Sequence, residues 1–229
     1  MRCNLDIHFV NADNKQTVPK VLGAYRRMGV PCAGIVDIDV INNAQEFRKQ
    51  LEAAGIDGDA ARYALGAQGT IASTVNASPT EHRLERMIGN LSDMAALAKS
   101  ALTANSAGQE TVINQLAHDA SRLKADCSAW QEVKKKGIVA TGHAKVAFDK
   151  LYALCSDAGL FINPSGELES SLRDCGLEWQ SDKRRWIAQA VNLVQNLQPD
   201  VSKQPWALMD HVRRHLEGRQ KNEPTGEIP

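Results

Sequence analysis

Ten residues, Cys32 to Ile41 (CAGIVDIDVI), constrain what this chain can fold into more than any other stretch. An apolar run broken only by two aspartates reads as a strand buried on both sides, as in a parallel sheet, with its carboxylates emerging at the C-terminal edge. Open α/β sheets bind their ligands at that edge. Asp37 and Asp39 are two apart, so on an extended backbone both side chains leave the same face. Two carboxylates held that close repel unless a positive charge sits between them, and a hard divalent cation such as Mg²⁺ is the usual solution.

The flanking sequence predicts a β-α-β unit. Leu5 to Val10 (LDIHFV) alternates as a strand does, NADNKQT makes a polar turn carrying Lys15, and Val18 to Met28 has Val18, Val21, Leu22 and Tyr25 on one helical face before the stop at Gly29. After the central strand, Asn42 or Asn43 is placed to cap a helix with Phe47 and Leu51 inward and Gly55 at its end. Residues 56 to 78 are rich in glycine, alanine and small polar residues, which suggests a short helix near Asp59 to Leu65 and then a loop. Pro79 to Thr103 reads as a helix with Leu84, Met87, Ile88, Leu91 and Leu97 on its apolar side. Further helices are expected over about Gln109 to Lys136, where Lys134, Lys135 and Lys136 suit the helix dipole, and over Ala144 to Asp157. The strand pattern returns at GLFIN, residues 159 to 163, followed by the acidic turn GELE. A helix from Ser181 to Leu197, with Ser181 as cap and Trp186, Ile187, Val191 and Val194 inward, precedes another over Pro205 to Gly218.

This pattern divides the chain into a first α/β segment (1–76), a helical insertion (77–157), a second α/β segment (158–218) and a tail (219–229) without apolar periodicity, expected to be disordered. Lys plus Arg and Asp plus Glu number 27 each, so any DNA-binding surface has to be a local patch. No apolar stretch approaches the roughly 20 residues that cross a bilayer, and no basic start leads into an apolar core, so a cytoplasmic protein is expected. The five cysteines are scattered without a CxxC pair and read as reduced thiols rather than a disulfide framework or zinc site.

Three stretches in order, FVNADNKQTVPKVLGAYRRMGVP, AGIVDIDV, and GLFINPSGELE with the later DKRRW, resemble the Toprim half of the OLD-family nucleases, ATPase-linked enzymes of phage defence. The resemblance covers about residues 5–55 and 158–197 and rests on the combination, since a lone DxD is a weak motif. It implies a Toprim-like (Rossmannoid) parallel sheet with a helical insertion, and a metal-dependent DNA endonuclease working with an ATPase module or subunit as a homo-oligomer. The first, glutamate-bearing EGxxD strand of the family has no counterpart here, so the fold is expected to be truncated at its N-terminus and the chain to be weakly active or inactive alone. The glycine of the family's glycine-lysine turn is Asn14, which tolerates a left-handed backbone. No GxxxxGK[ST] is present.

The resemblance makes Asp37, Asp39, Glu169 and Glu167 the ligands of Mg²⁺ or Mn²⁺, with Asp37 and Lys183 catalytic. Metal ions so held polarise a phosphate and lower the pKa of bound water, and the lysine stabilises developing charge. Lys15, Arg184 and Arg185 stand as phosphate- or DNA-binding residues. Each has a plainer reading: the aspartates solvate a strand end and cap the next turn, the glutamates answer a helix N-terminus, and the basic residues form a solvated cluster. His211 and His215 have metal-ligand spacing on a helix, but the glutamate of HExxH is missing and an amphipathic basic helix explains them better. Two rivals remain: a non-catalytic relic Toprim scaffold that binds a partner protein or DNA, and, less favoured, a phosphatase using an aspartate nucleophile.

Overall fold

The computed structural model describes residues 7–77, 80–103, 105–138, 144–178, 180 and 182–222. Nine helices and two strands are assigned among them: α1 (Val18–Arg27), β1 (Gly34–Asp37), α2 (Ala44–Ala53), α3 (Gly58–Asn76), α4 (Thr80–Ala101), α5 (Ser106–Asp126), α6 (Ala129–Lys136), α7 (Ala144–Asp157), β2 (Leu160–Asn163), α8 (Lys183–Asn196) and α9 (Trp206–Asn222). The architecture is mixed α/β and mostly helical. Its sheet has two parallel strands, with Gly34 opposite Leu160 and Asp37 opposite Asn163.

Apolar side chains on alternate positions give this small sheet two covered faces. Val36, Leu160 and Ile162 pack into the main core with Leu22 of α1, Phe47 and Leu51 of α2, Ile71 of α3 and Phe148 and Leu151 of α7. Phe161 points the other way, into a second cluster with Leu208, Val212 and Leu216 of α9. A parallel pair needs a long crossover, and here α2 to α7 supply it.

Several expectations shift for identifiable reasons. Residues Ile7 to Val10 form no strand, and Phe9 and Val10 are exposed; Leu5 and Asp6 lie outside the described residues. Alternation alone does not hold a strand without a ladder partner, and β1 pairs with β2 instead. The central strand stops at Asp37 and tightens into a 3₁₀ helix over Ile38–Asn42. β2 ends at Asn163, opposite Asp37, so no ladder partner remains from Ile38 onward, and the 3₁₀ turn keeps Ile38, Val40 and Ile41 fully buried. Where a short helix and loop were expected, α3 runs on to Asn76, because Ala64, Gln68, Ile71 and Val75 make a continuous buried face of helical spacing. The Asn14 position is not left-handed; Asp13, one residue earlier, takes that conformation at φ 62°. Asn14 instead accepts hydrogen bonds from the backbone N–H groups of Gln16 and Thr17.

The insertion also divides differently. The long helix expected over 109–136 breaks at Cys127 and Ser128, because its two parts serve different partners: α5 lies along α4 as a hairpin, whereas α6 buries Trp130 and Val133 in the main core beside α3. α7 likewise belongs to the core, against α3 and β2. On α4, Met87 and Leu97 are partly covered but Leu84, Ile88 and Leu91 stand exposed. On α8, Asp182 rather than Ser181 caps the first turn, accepting from the N–H groups of Arg184 and Arg185; Ser181 lies outside the described residues. The buried face of α8 is Trp186 and Ala190, so Ile187, Val191 and Val194 are exposed rather than inward. Helix α9 continues through Asn222, four residues into the expected tail, whose remainder (223–229) lies outside the described residues.

The end of α6 and the turn after β2 are clasped backbone to backbone. Glu167 N–H donates to the Lys134 carbonyl (2.9 Å) and Ile138 N–H to that of Pro164 (3.1 Å). Ser170 Oγ donates to the carbonyls of Lys134 and Lys135, and Arg173 to that of Lys135. Gly166 (φ 114°) and Gly137 (φ 73°) permit this approach, since a Cβ on either would run into backbone across the contact. Gly166→Ala is therefore expected to destabilise the protein by about 2–4 kcal/mol. Urea denaturation checks it, with Gly69→Ala, in open space on α3, as the tolerated control.

A candidate acidic centre at the end of the parallel strands

Strand β1 delivers Asp37 to the C-terminal edge of the sheet, and the following 3₁₀ helix turns Asp39 toward the same rim. That turn is fixed by burial of Ile38 and Val40 on either side of Asp39, by Ile38 N–H donating to the Gly166 carbonyl, and by buried Gln68 donating to the Ile41 carbonyl (2.7 Å). The pair therefore converges, but not because both residues share one strand face. Parallel pairing with β2 brings in the PSGELES turn, in which Glu167 starts and Glu169 sits within a second 3₁₀ helix, Leu168–Ser170. No α-helix begins there, so a helix dipole does not account for these glutamates.

Three lysines from separate elements meet the acids. Lys15 Nζ lies 3.2 Å from Asp39 and 3.0 Å from Glu46, a residue of the first turn of α2. Its loop is held by Gln50, whose side-chain amide donates to the Lys15 carbonyl (2.6 Å). Lys134 of α6 bridges Asp39 and Glu167, at 3.2 Å from each. Lys183, first residue of α8, is 3.0 Å from Glu169, which is 6 % exposed. Burial works against the charge of Lys15 and Lys134, yet their carboxylate partners outweigh it and hold both pKa values above the ordinary lysine range. The hydrogen bond to Glu169 does the same for Lys183.

Asp37 is different. It makes no hydrogen bond or ion pair among the described residues, and although it begins the 3₁₀ helix it does not cap it. Burial of its carboxyl, followed by the charges of Asp39, Glu167 and Glu169, pushes its pKa up to about 6, with Lys183 pulling partly back. The residue as a whole is nonetheless exposed at the rim, so solvent screens the charge and its energetic cost is small. Among the described residues, no three His, Cys, Asp or Glu side chains are grouped closely enough to hold a single metal ion.

Of the residues expected from sequence, Asp37, Asp39, Glu167, Glu169, Lys15 and Lys183 therefore gather at one rim. Arg184 and Arg185 follow on α8 as exposed side chains. His211 and His215 are elsewhere, edge-on to Phe161 at ring-centroid separations of 5.5 and 5.7 Å in the second core cluster. Two members of the network escape a sequence reading. Glu46 looks like any first-turn acid, and Lys134 is one of three successive lysines of which only the fold selects the one that turns inward; Lys136 pairs instead with Glu132. Comparison with protein-family models, with curated proteins and with solved structures gave no match.

The shift of Asp37 has a definite sign. A carboxyl whose pKa is higher folded than unfolded binds its proton more tightly in the native state, so its contribution is favourable at low pH and is lost as pH rises between about 4 and 6. Asp37→Asn is expected to remove that fall and to leave the protein more stable than the parent at pH 7.5. Urea denaturation of both proteins from pH 4 to 7.5 measures it, and parallel pH profiles would show that Asp37 is not the group responsible.

Proposed function

We propose that this chain is a Toprim-like domain of an OLD-like, metal-dependent DNA endonuclease of bacterial phage defence, acting in the cytoplasm with an ATPase partner and as a homo-oligomer. The observation that supports it most is Asp37: a carboxylate at the sheet edge, crowded by three other acids and given no partner of its own. A cluster of like charges favours a cation among them, and perturbed carboxylates at that edge are sites by position. The donor set is all oxygen and suits Mg²⁺ or Mn²⁺. Asp37 and Asp39, with Glu167 and Glu169, would have to draw together from their lysine-bridged positions to hold the ion, which would supply charge stabilisation for the phosphate and a more acidic water. Lys183 and Lys15 neutralise charge at the phosphate, and Arg184 and Arg185 take the strand's backbone.

The lysines set the expected level of activity. Lys134 already neutralises Asp39 and Glu167, so a cation competes with an ammonium group that is held in place, and the isolated chain is expected to cleave DNA weakly or not at all. The same bridge favours the rival, a relic Toprim scaffold in which lysine-carboxylate pairs fasten the loop before α1, α6 and α8 to the strand ends and bind no metal.

Isothermal titration with Mn²⁺ separates these readings. Metal binding predicts heat that disappears in Asp37→Ala and grows in Lys134→Met, where two carboxylates are released. No heat from the parent or from Lys134→Met, with both proteins folded, would leave the scaffold reading standing.

A further inference from the structure

Helix α4 carries two apolar seams, and its hairpin partner uses one of them. Met87, Met94 and Leu97 lie on the partly covered side of α4, in the hairpin with α5. On another side run Leu84, Ile88, Leu91, Ala95, Ala98 and, just past the last turn, Leu102. Their spacing of four, three, four, three and four residues is the a/d repeat of a coiled coil. Leu84, Ile88, Leu91 and Leu102 are 53 %, 66 %, 47 % and 77 % exposed. Isolated exposed leucines are ordinary on a protein surface, but an apolar residue at every a and d position over one helix side is not.

The composition of the seam selects its occupant. Its first half is bulky (Leu84, Ile88, Leu91) and its middle is small (Ala95, Ala98). A parallel copy would set Leu84, Ile88 and Leu91 each against itself, which such pairs accept, but would also set alanine against alanine at 95 and 98 and leave a gap there. An antiparallel copy about a twofold axis near residue 93 sets Leu84 against Leu102, Ile88 against Ala98 and Leu91 against Ala95, so each layer pairs an a with a d position. Charge agrees: Glu85 and Lys99 flank the seam on the same side at opposite ends, and antiparallel docking brings each toward the other in the second copy. The seam spans fewer than three heptads, short for an isolated coiled coil. With α5 backing each α4, however, the two hairpins would form a four-helix bundle.

We infer that the α4–α5 hairpin is a self-association device, joining two copies of this chain antiparallel through the Leu84–Leu102 seam. The twofold axis makes the contact isologous and closed, so it ends at a dimer. This inference stands on the hairpin alone and does not depend on what the acidic centre does.

Sedimentation of the full chain at concentrations on the order of 100 μM is expected to give twice the 25.0 kDa chain mass. Ile88→Asp, at an exposed position that leaves the fold intact by circular dichroism, is expected to weaken the dimer by at least about tenfold. Orientation is read from cysteines. The double variant Ile88→Cys with Ala98→Cys should form an interchain disulfide on oxidation that neither single variant gives, because the two positions are too far apart along one helix to join within a chain. Cross-linking by each single variant would show a parallel seam and overturn the antiparallel arrangement. A parent that stays monomeric, or a dimer indifferent to Ile88→Asp, would overturn the device altogether.

Discussion

A helix ends on carbonyl oxygens that lack intrahelical partners, and burying such an end requires donors from elsewhere. In α6 those donors come from the turn after β2, where Glu167 N–H and the Ser170 hydroxyl meet the Lys134 carbonyl, and Ser170 and Arg173 meet that of Lys135. The approach is backbone against backbone, which is why glycine stands at both 137 and 166. Through this clasp the last turn of a helix becomes a wall of the sheet edge. The same turn also receives the Ile38 N–H at Gly166, so strand end, 3₁₀ helix and α6 are mutually fixed.

The charge arrangement at the rim follows from that geometry. Five carboxylates (Asp37, Asp39, Glu46, Glu167 and Glu169) and three lysines meet there, leaving an excess of two negative charges. Each lysine arrives on a different segment, so the network reports on the packing of the loop before α1, of α6 and of α8 as much as on any ligand. Four of the acids have an ammonium partner within salt-bridge reach. The remaining one, Asp37, bears repulsion that Lys183 relieves only in part, and that imbalance is the physical basis for treating the rim as a site rather than as a fastener.

Much of the local structure was legible in the sequence because it depends on nearest neighbours. The helix at Val18, the Asn43 cap and left-handed Gly55 around α2, the bounds of α7 and the strand at Leu160 all follow from periodicity and stop residues that act within a few positions. The misread helix faces share a cause. Phase on a helix surface is ambiguous when two adjacent faces are both apolar, as in α4 and α8. Whether Ile88 or Met87, Ile187 or Trp186, turns inward depends on which partner is in place.

For the site, residue order alone sets the inventory: two acidic pairs spaced i, i+2, each following a short apolar run, with a lysine turn upstream and a basic helix start downstream. Residue type and spacing are chain properties, so no coordinates are needed to read them. How these groups meet is set by packing in three dimensions. The strand ended at Asp37 because its partner β2 stops opposite it at Asn163, and the 3₁₀ turn that follows keeps Ile38, Val40 and Ile41 in the core. Lys134 entered the cluster because the capping demands of α6 bound it to a segment far along the chain, and Asp37 was left alone because every nearby ammonium group was already engaged. Pairing at a distance costs chain entropy and is settled by the whole fold at once, so no local pattern can announce it.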